Sequence, residues 1–495
     1  MEKVLIYATA AQGTQEAAAY EEAINHVKKG DDVLFLHCSP ILMGCHGENP
    51  GFHPGRCKAC MWMFKRRAKK YLPEAVKIKS ISDYWDDEIK QVVDSYIPKY
   101  STIEEFRGLK YKNVSIGYGA MSSYISQTRN MKPELKDNIV LYLNKLLKSQ
   151  VILTELINKA LDDYNPDLVI FHNGRLAQYK PILNVCQHRK IHFIVTESFV
   201  NAHGVFMKNY FENTTPHDAA ANTKKYEQFW AEYKGEDRDK VARSYYENKR
   251  LGAFTSEKVF TKDQVAGKMP DAWDKNKRHI VIYNSSEDEF CAINEEVDKA
   301  ALFPSQIEGI TQIVDHFSGK EDVQVYLRIH PNLKKITYSY HTDLYKIKAD
   351  NFQIIPPDSD ISSYTLMEGA DIVIVFGSTM GIEAAYAGKP TICLAYAFYS
   401  LMNVVYVPKT VEELWTLADE INLKPLNQNG CLKYSLYYIS DKHEKFDNLN
   451  VRYKNVRVLG HKFQLLSYLT IYKSCLLYDL TQRLLNRLFR RTIAV

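Results

Sequence analysis

Three polar clusters close short apolar runs in the second half of the chain, and their residue types suit anion binding. They read "YNSSEDEF" (Tyr283 to Phe290), "RIHPN" (Arg328 to Asn332) and "FGSTMGIEAA" (Phe376 to Ala385). A proline after His330 ends its run and pushes the histidine toward an extended conformation. There His330 either donates to a phosphate, with Arg328 beside it, or closes the strand on a backbone carbonyl. Gly377-Ser378-Thr379 opens a predicted helix, where unpaired N–H groups and the helix dipole favour an anion. The same turn also suits plain capping. A capping box would place its acid at Gly381 or Ile382, so Glu383 falls outside both registers. It is then an acceptor for a ligand hydroxyl or a solvated acid of the first turn.

The first half carries a second kind of chemistry, the removal of a proton. "FHNGRLAQYKP" puts His172, Asn173 and Arg175 at the tip of an apolar run, and "VTESF" puts Glu197 at the tip of the next. Glu197 and then His172 are the candidate bases. Arg175, with Asn173, is a candidate clamp for a phosphate or an acidic sugar. A third cluster holds four of the nine cysteines, Cys38, Cys45, Cys57 and Cys60. The Cys57-x2-Cys60 pair has zinc-knuckle spacing, and four thiolates close a tetrahedral site, with His46 and His53 as spare ligands. The alternative is two reduced pairs in a cytosolic loop. Asp358-Ser359-Asp360 spells a metal-binding pattern but sits where aspartate is also a good cap.

These residues need elements to hold them. Apolar runs at 3–9, 31–37, 167–171 and 191–196 alternate with helical patterns, including a long one at 136–163 and another starting near Leu176. The alternation resumes at 279–283, 323–329, 352–355, 371–376 and 390–394. Strands alternating with helices predict βαβ units and parallel sheets. At 495 residues the chain is long enough for two such domains. The fold class expected is α/β, two Rossmann-like doubly wound domains facing a cleft, with a C-terminal helical tail. Ligands in such sheets bind at the carboxyl ends of the strands. The expected N-terminal domain is 1–265, with the cysteine cluster at 38–60 and a polar helical excursion at 213–265. The expected second domain is 277–435, and the tail is 436–495.

Composition is that of a soluble globular chain, with 45% hydrophobic and 25% charged residues. A net charge of +5 is mild and neither requires nor excludes a polyanionic partner; no nucleic-acid binding is expected. No run reaches about 18 apolar residues, and the N-terminus lacks a secretory h-region. The protein is read as cytoplasmic, at the inner face of the cytoplasmic membrane. That placement rests on the last residues, where Leu477, Leu480, Leu484, Leu485 and Leu488 alternate with Arg483, Arg487, Arg490 and Arg491. A basic amphipathic helix of this kind lies on an anionic membrane or docks on its own domain.

"RIHPN", "PPDSDISSYTLMEGADIVIVFGSTMGIEAAYAGKP" and the upstream "YNSSEDEF" together resemble the C-terminal half of bacterial capsular-polysaccharide and O-antigen glycosyltransferases of the GT-B fold. The resemblance is strong over about 278–408 and weaker in the first half. Similar His-Pro and Ser-Thr motifs occur in bacterial sialyltransferases, Kdo transferases and wall teichoic acid polymerases. The resemblance implies that His330 and Gly377-Ser378-Thr379 hold the phosphates of a nucleotide-sugar donor while Glu383 reads its ribose. It places Ser285 and Ser286 along the cleft and the 358–363 loop near the base. It implies no cofactor for catalysis, leaving zinc on the cysteines as a structural metal. The implied partners are a nucleotide-sugar donor and a saccharide or lipid-linked saccharide acceptor of a surface polysaccharide. Competing readings are a polyol-phosphate transferase of the teichoic-acid kind, a nucleotide-sugar epimerase, or a non-catalytic nucleotide-sugar-binding subunit of a polysaccharide assembly complex.

Overall fold

The run KVLIYA forms β1 (Lys3–Ala8), buried at every position after the first. Strands covered on both faces read as unbroken apolar runs rather than alternating ones. The same logic gives β2 (Asp32–His37) after α1 (Thr14–Lys29). Next come α2 (Pro54–Tyr71), β3 (Lys77–Ser80) and the 28-residue α3 (Asp137–Tyr164). They are followed by β4 (Leu168–His172), α4 (Lys180–Arg189), β5 (Phe193–Thr196) and the short β6 (Phe211–Glu212). The sheet order is β3-β2-β1-β4-β5-β6. It is parallel except for β6, which runs against β5. The winding direction reverses between β1 and β4, which opens a crevice at their carboxyl ends.

This computed structural model describes residues 1–9, 14–45, 54–201, 203–235, 237–254, 263–452, 455–459 and 461–462. The chain divides into two units. Unit 1 is Met1–Phe199, Phe206–Pro216 and Glu444–Val495, and unit 2 is Val200–Val205 and His217–His443.

Unit 2 begins with α5 (Ala219–Glu232) and α6 (Arg238–Arg250). Its sheet is built from β7 (Arg278–Tyr283), α7 (Gln306–Phe317), β8 (Val323–Arg328) and β9 (Phe352–Ile355). α8 (Ser363–Gly369), β10 (Ile372–Val375), α9 (Met380–Tyr386) and β11 (Thr391–Cys393) complete it, and α10 (Asn429–Ile439) follows. The five strands are all parallel in the order β9-β8-β7-β10-β11. Here the reversal lies between β7 and β10.

Three placements differ from the sequence expectation. The polar stretch 213–265, assigned above to the N-terminal domain, lies in unit 2 from His217 onward. Aromatic packing explains it. Tyr226 of α5 meets Tyr434, Tyr437 and Tyr438, and Tyr246 of α6 stacks on Tyr386 at 3.9 Å. The helix expected near Leu176 starts at Lys180, because Leu176–Tyr179 is a turn whose carbonyl at Leu176 accepts from both Tyr179 and Lys180. The region 436–495 is not a helical tail throughout. Leu449–Arg452, Asn455–Val458 and His461–Lys462 form a small antiparallel sheet, in keeping with the β-branched Val451, Val456 and Val458. The leucine–arginine stripe at 477–491 lies outside the described residues.

Candidate functional site

The switch point of unit 1 carries a cavity of about 420 Å³. It is lined by Thr14, Gln15 and Ala18 from the start of α1, and by His172, Asn173, Arg175 and Leu176 after β4. Thr196, Glu197 and Ser198 at the end of β5, with Phe206, complete it. His172, Asn173, Arg175 and Glu197, the candidate base and clamp residues of this half, are therefore brought together. β4 and β5 are paired with His172 opposite Thr196, which sets the tips side by side. Asn173 takes a left-handed φ of 55° and Gly174 one of 82°, so the chain turns sharply away from the strand.

The turn fixes the chemistry of the histidine. His172 Nδ1 lies 2.9 Å from the Thr196 carbonyl oxygen, which only accepts, so Nδ1 carries a proton. Burial holds the His172 pKa below its ordinary value, against the opposing pull of Glu197. The ring is thus neutral, and Nε2 presents a lone pair 3.9 Å from Glu197 Oε1. Tyr179 meets the imidazole edge-on at 5.8 Å and is itself tied to Thr9 by a 2.8 Å hydroxyl contact. Asn173 Nδ2 donates to Glu197 Oε1, and Arg175 N–H donates to Asn173 Oδ1. His172 thus sets a neutral imidazole beside Glu197, the residue that the sequence reading put first as base. Gln15 and Thr14 were missed. Gln15 Oε1 is buried with no hydrogen-bond partner among the described residues. Their signal was position, since the helix after the first strand opens at a switch point.

The tips in unit 2 are arranged differently. Arg328, 2% exposed, donates through Nε to Ser363 Oγ at 3.2 Å and through its Nη atoms to the carbonyls of Pro356 and Ser359. Its guanidinium holds the 356–363 loop and is not aimed at a ligand, which corrects the expectation of a phosphate partner for His330. His330 accepts at Nδ1 from Asn332 N–H (3.1 Å), while its own N–H donates to Asn284 Oδ1 (2.8 Å). An accepting Nδ1 puts the proton on Nε2, so this histidine is a neutral donor. The Ser285 hydroxyl and N–H are matched by the amide of Gln306 at 2.8 and 3.0 Å. Ser286 donates to Asp288, and Asn332 to Glu289.

Gly377 has a φ of 80°, and a Cβ there would meet the Tyr396 carbonyl oxygen at 2.4 Å, so only glycine fits. Ser378 is buried with its carbonyl accepting from Tyr399, and Thr379 is exposed at the start of α9 without a side-chain cap. Glu383 is 4% exposed. It accepts from the Tyr364 hydroxyl at 2.5 Å and pairs with Lys249 of α6 at 3.4 Å. Lys249 arrives from the polar insertion, with no sign of it in the motifs themselves. Asp358 and Asp360 pair with Lys334 and Lys268.

Cys38, Cys45, Cys57 and Cys60 are each partly buried, and Cys57 and Cys60 lie within α2 rather than in a knuckle turn. Among the described residues, the His, Cys, Asp or Glu side chains that gather as three possible ligands within 4.8 Å are Glu2, His26 and Asp31. No helix of the described residues is long and apolar enough to cross a membrane.

Residues 187–424 match the family model described as capsule polysaccharide biosynthesis protein. The resemblance is to that family. No curated protein matches the chain. Among solved structures, the Thermosulfurimonas dismutans KpsC beta Kdo 2,4 transferase aligns at 12% identity and a TM-score of 0.33, covering 55% of this chain and 87% of that one. The beta Kdo 2,7 transferase of the same KpsC aligns at 13% identity and 0.33, over 66% and 90%. The Neisseria meningitidis UDP-GlcNAc 2-epimerase aligns at 11% and 0.29, over 88% and 98%. The α/β architecture itself stands on the two parallel sheets described above.

Proposed function

We propose that this capsule-type chain is a glycosyltransferase, moving a sugar from a nucleotide-sugar donor to a saccharide acceptor of a bacterial surface polysaccharide. One observation carries the reading most: the cavity of unit 1 presents the neutral His172 Nε2 beside the acceptor atoms of Glu197 and Gln15. Such a site receives hydroxyl donors. His172 Nε2 takes the proton of the acceptor hydroxyl as its oxygen attacks the anomeric carbon and the bond to the donor phosphate breaks. Imidazolium charge formed at His172 is balanced by Glu197. Asn173 holds the carboxylate in place, and Arg175 borders the same space.

We assign the donor to unit 2, where the motifs that resemble glycosyltransferases lie. The leaving phosphate would meet the Nε2–H of His330 and the Gly377-Ser378-Thr379 turn. Preorganised donors of this kind stabilise developing charge without reorganising. His172→Gln tests the reading. Transfer to acceptor should fall by roughly a thousandfold with the fold intact, and transfer at the wild-type rate would overturn it. A thermal-shift series with CMP, UDP, GDP and dTDP tests the donor half, since a ligand of the native state raises its melting temperature. A flat response to all four would defeat that assignment.

A further inference from the structure

The second helix of unit 1 has two faces of opposite character. Met63, Phe64, Arg67, Ala68 and Tyr71 of α2 are buried. Phe64 packs on Phe35 and Tyr20, and Arg67 donates to the buried Glu16 at 2.7 Å. Trp62, Lys65, Arg66, Lys69 and Lys70 are exposed. Their spacing puts them on a single stripe of the helix. The 18-residue helix contains no acid, and α2 thus presents four cations and one indole outward. Trp62 is 56% exposed, and the Arg66 guanidinium lies over its ring at 4.8 Å.

We propose that this stripe of α2 docks the protein on an anionic phospholipid surface. Charge complementarity selects an anionic partner. The indole selects a bilayer, because its amphipathic ring is at home at the headgroup level. Shape agrees, since a helix face is a ridge that meets a plane, whereas a polymer chain is gripped by a groove. The inference is independent of the chemistry assigned to the cavity.

The test is co-sedimentation of the full chain with vesicles. Phosphatidylcholine containing phosphatidylglycerol should carry the protein down, pure phosphatidylcholine should not, and half-molar salt should release it. Replacing Lys65, Arg66, Lys69 and Lys70 together by Gln should weaken binding more than about a hundredfold. Because these side chains are exposed, the melting temperature should not move. If it does, the pairs Lys65→Gln/Arg66→Gln and Lys69→Gln/Lys70→Gln should each cost at least about tenfold. Trp62→Ala should weaken binding by about tenfold through loss of the inserted ring. Variants that bind as the wild type does would place any membrane contact elsewhere and overturn the proposal. So would equal binding to neutral vesicles, or binding of a soluble acidic polysaccharide by the same cations with no binding to vesicles.

Discussion

At the carboxyl ends of its strands, unit 2 uses its polar groups on itself, while unit 1 leaves them around a space. Arg328 is spent on the 356–363 loop, Ser285 on Gln306, and Glu383 on Tyr364 and Lys249. In unit 1, His172 is held by Thr196, and Asn173 bonds both Glu197 and the Arg175 N–H, yet His172, Asn173 and Glu197 all border a cavity of about 420 Å³. The denser motif is therefore the more structural one. Polar residues at strand tips are needed to hold long loops as well as to meet ligands. Geometry, not residue type, tells the two uses apart.

Substitutions should separate the units by readout. Arg328→Ala should cost about 4 kcal/mol of stability, because it strips buried carbonyls of a charged donor. Urea denaturation measures it, and a loss under about 1 kcal/mol would show that the guanidinium is not structural. His172→Ala should act in the opposite sense, with roughly a thousandfold less transfer and little change in melting. Glu383→Gln should destabilise by about 3 kcal/mol by breaking the ion pair that the buried Glu383 makes with the half-buried Lys249. The double variant with Lys249→Met should recover part of that loss, and strict additivity would dissolve the pair.

A pH series sharpens the contrast further. The lowered pKa of His172 means that the folded protein binds this proton less readily than the unfolded chain. Its contribution to stability is complete above about 6.5 and is lost as pH falls from there through the folded value. Transfer should fall over the same acid limb, since only neutral His172 accepts a proton. His172→Gln should abolish the limb in both measurements, and a limb that survives belongs to another group. The smallest effect is expected from Asn173→Gly, which keeps the left-handed turn but frees Glu197. Transfer should drop by about tenfold, seen chiefly in KM.

Much of this was readable before any coordinates. Runs such as 279–283 and 371–376 announce doubly buried strands, and the tips after 171 and 196 read as neighbours, because parallel strands deliver their ends to one rim. What escaped was direction and partnership. Nothing in "RIHPN" says that Arg328 turns inward to a loop some thirty residues later while His330 accepts from Asn332. Nothing in "SYYENKR" says that Lys249 will meet Glu383, since the pair exists only once aromatic packing has drawn α6 into unit 2. The tautomer of His172 also lay beyond the sequence. It turns on a backbone carbonyl, that of Thr196, which has no letter of its own.

One contact constrains how the chain can be made. The buried Glu21 of α1 accepts the backbone N–H groups of Asp447 at 2.6 Å and Asn448 at 2.8 Å, more than four hundred residues downstream. Unit 1 is thus fastened by a segment synthesised after all of unit 2. During translation Glu21 must wait, solvated or borrowed by another group, until that segment leaves the ribosome. Contacts of such sequence separation form late, since loop closure precedes their reward. Unit 2 can then fold before that segment appears, and α1 gains these partners only once Asp447 and Asn448 have emerged.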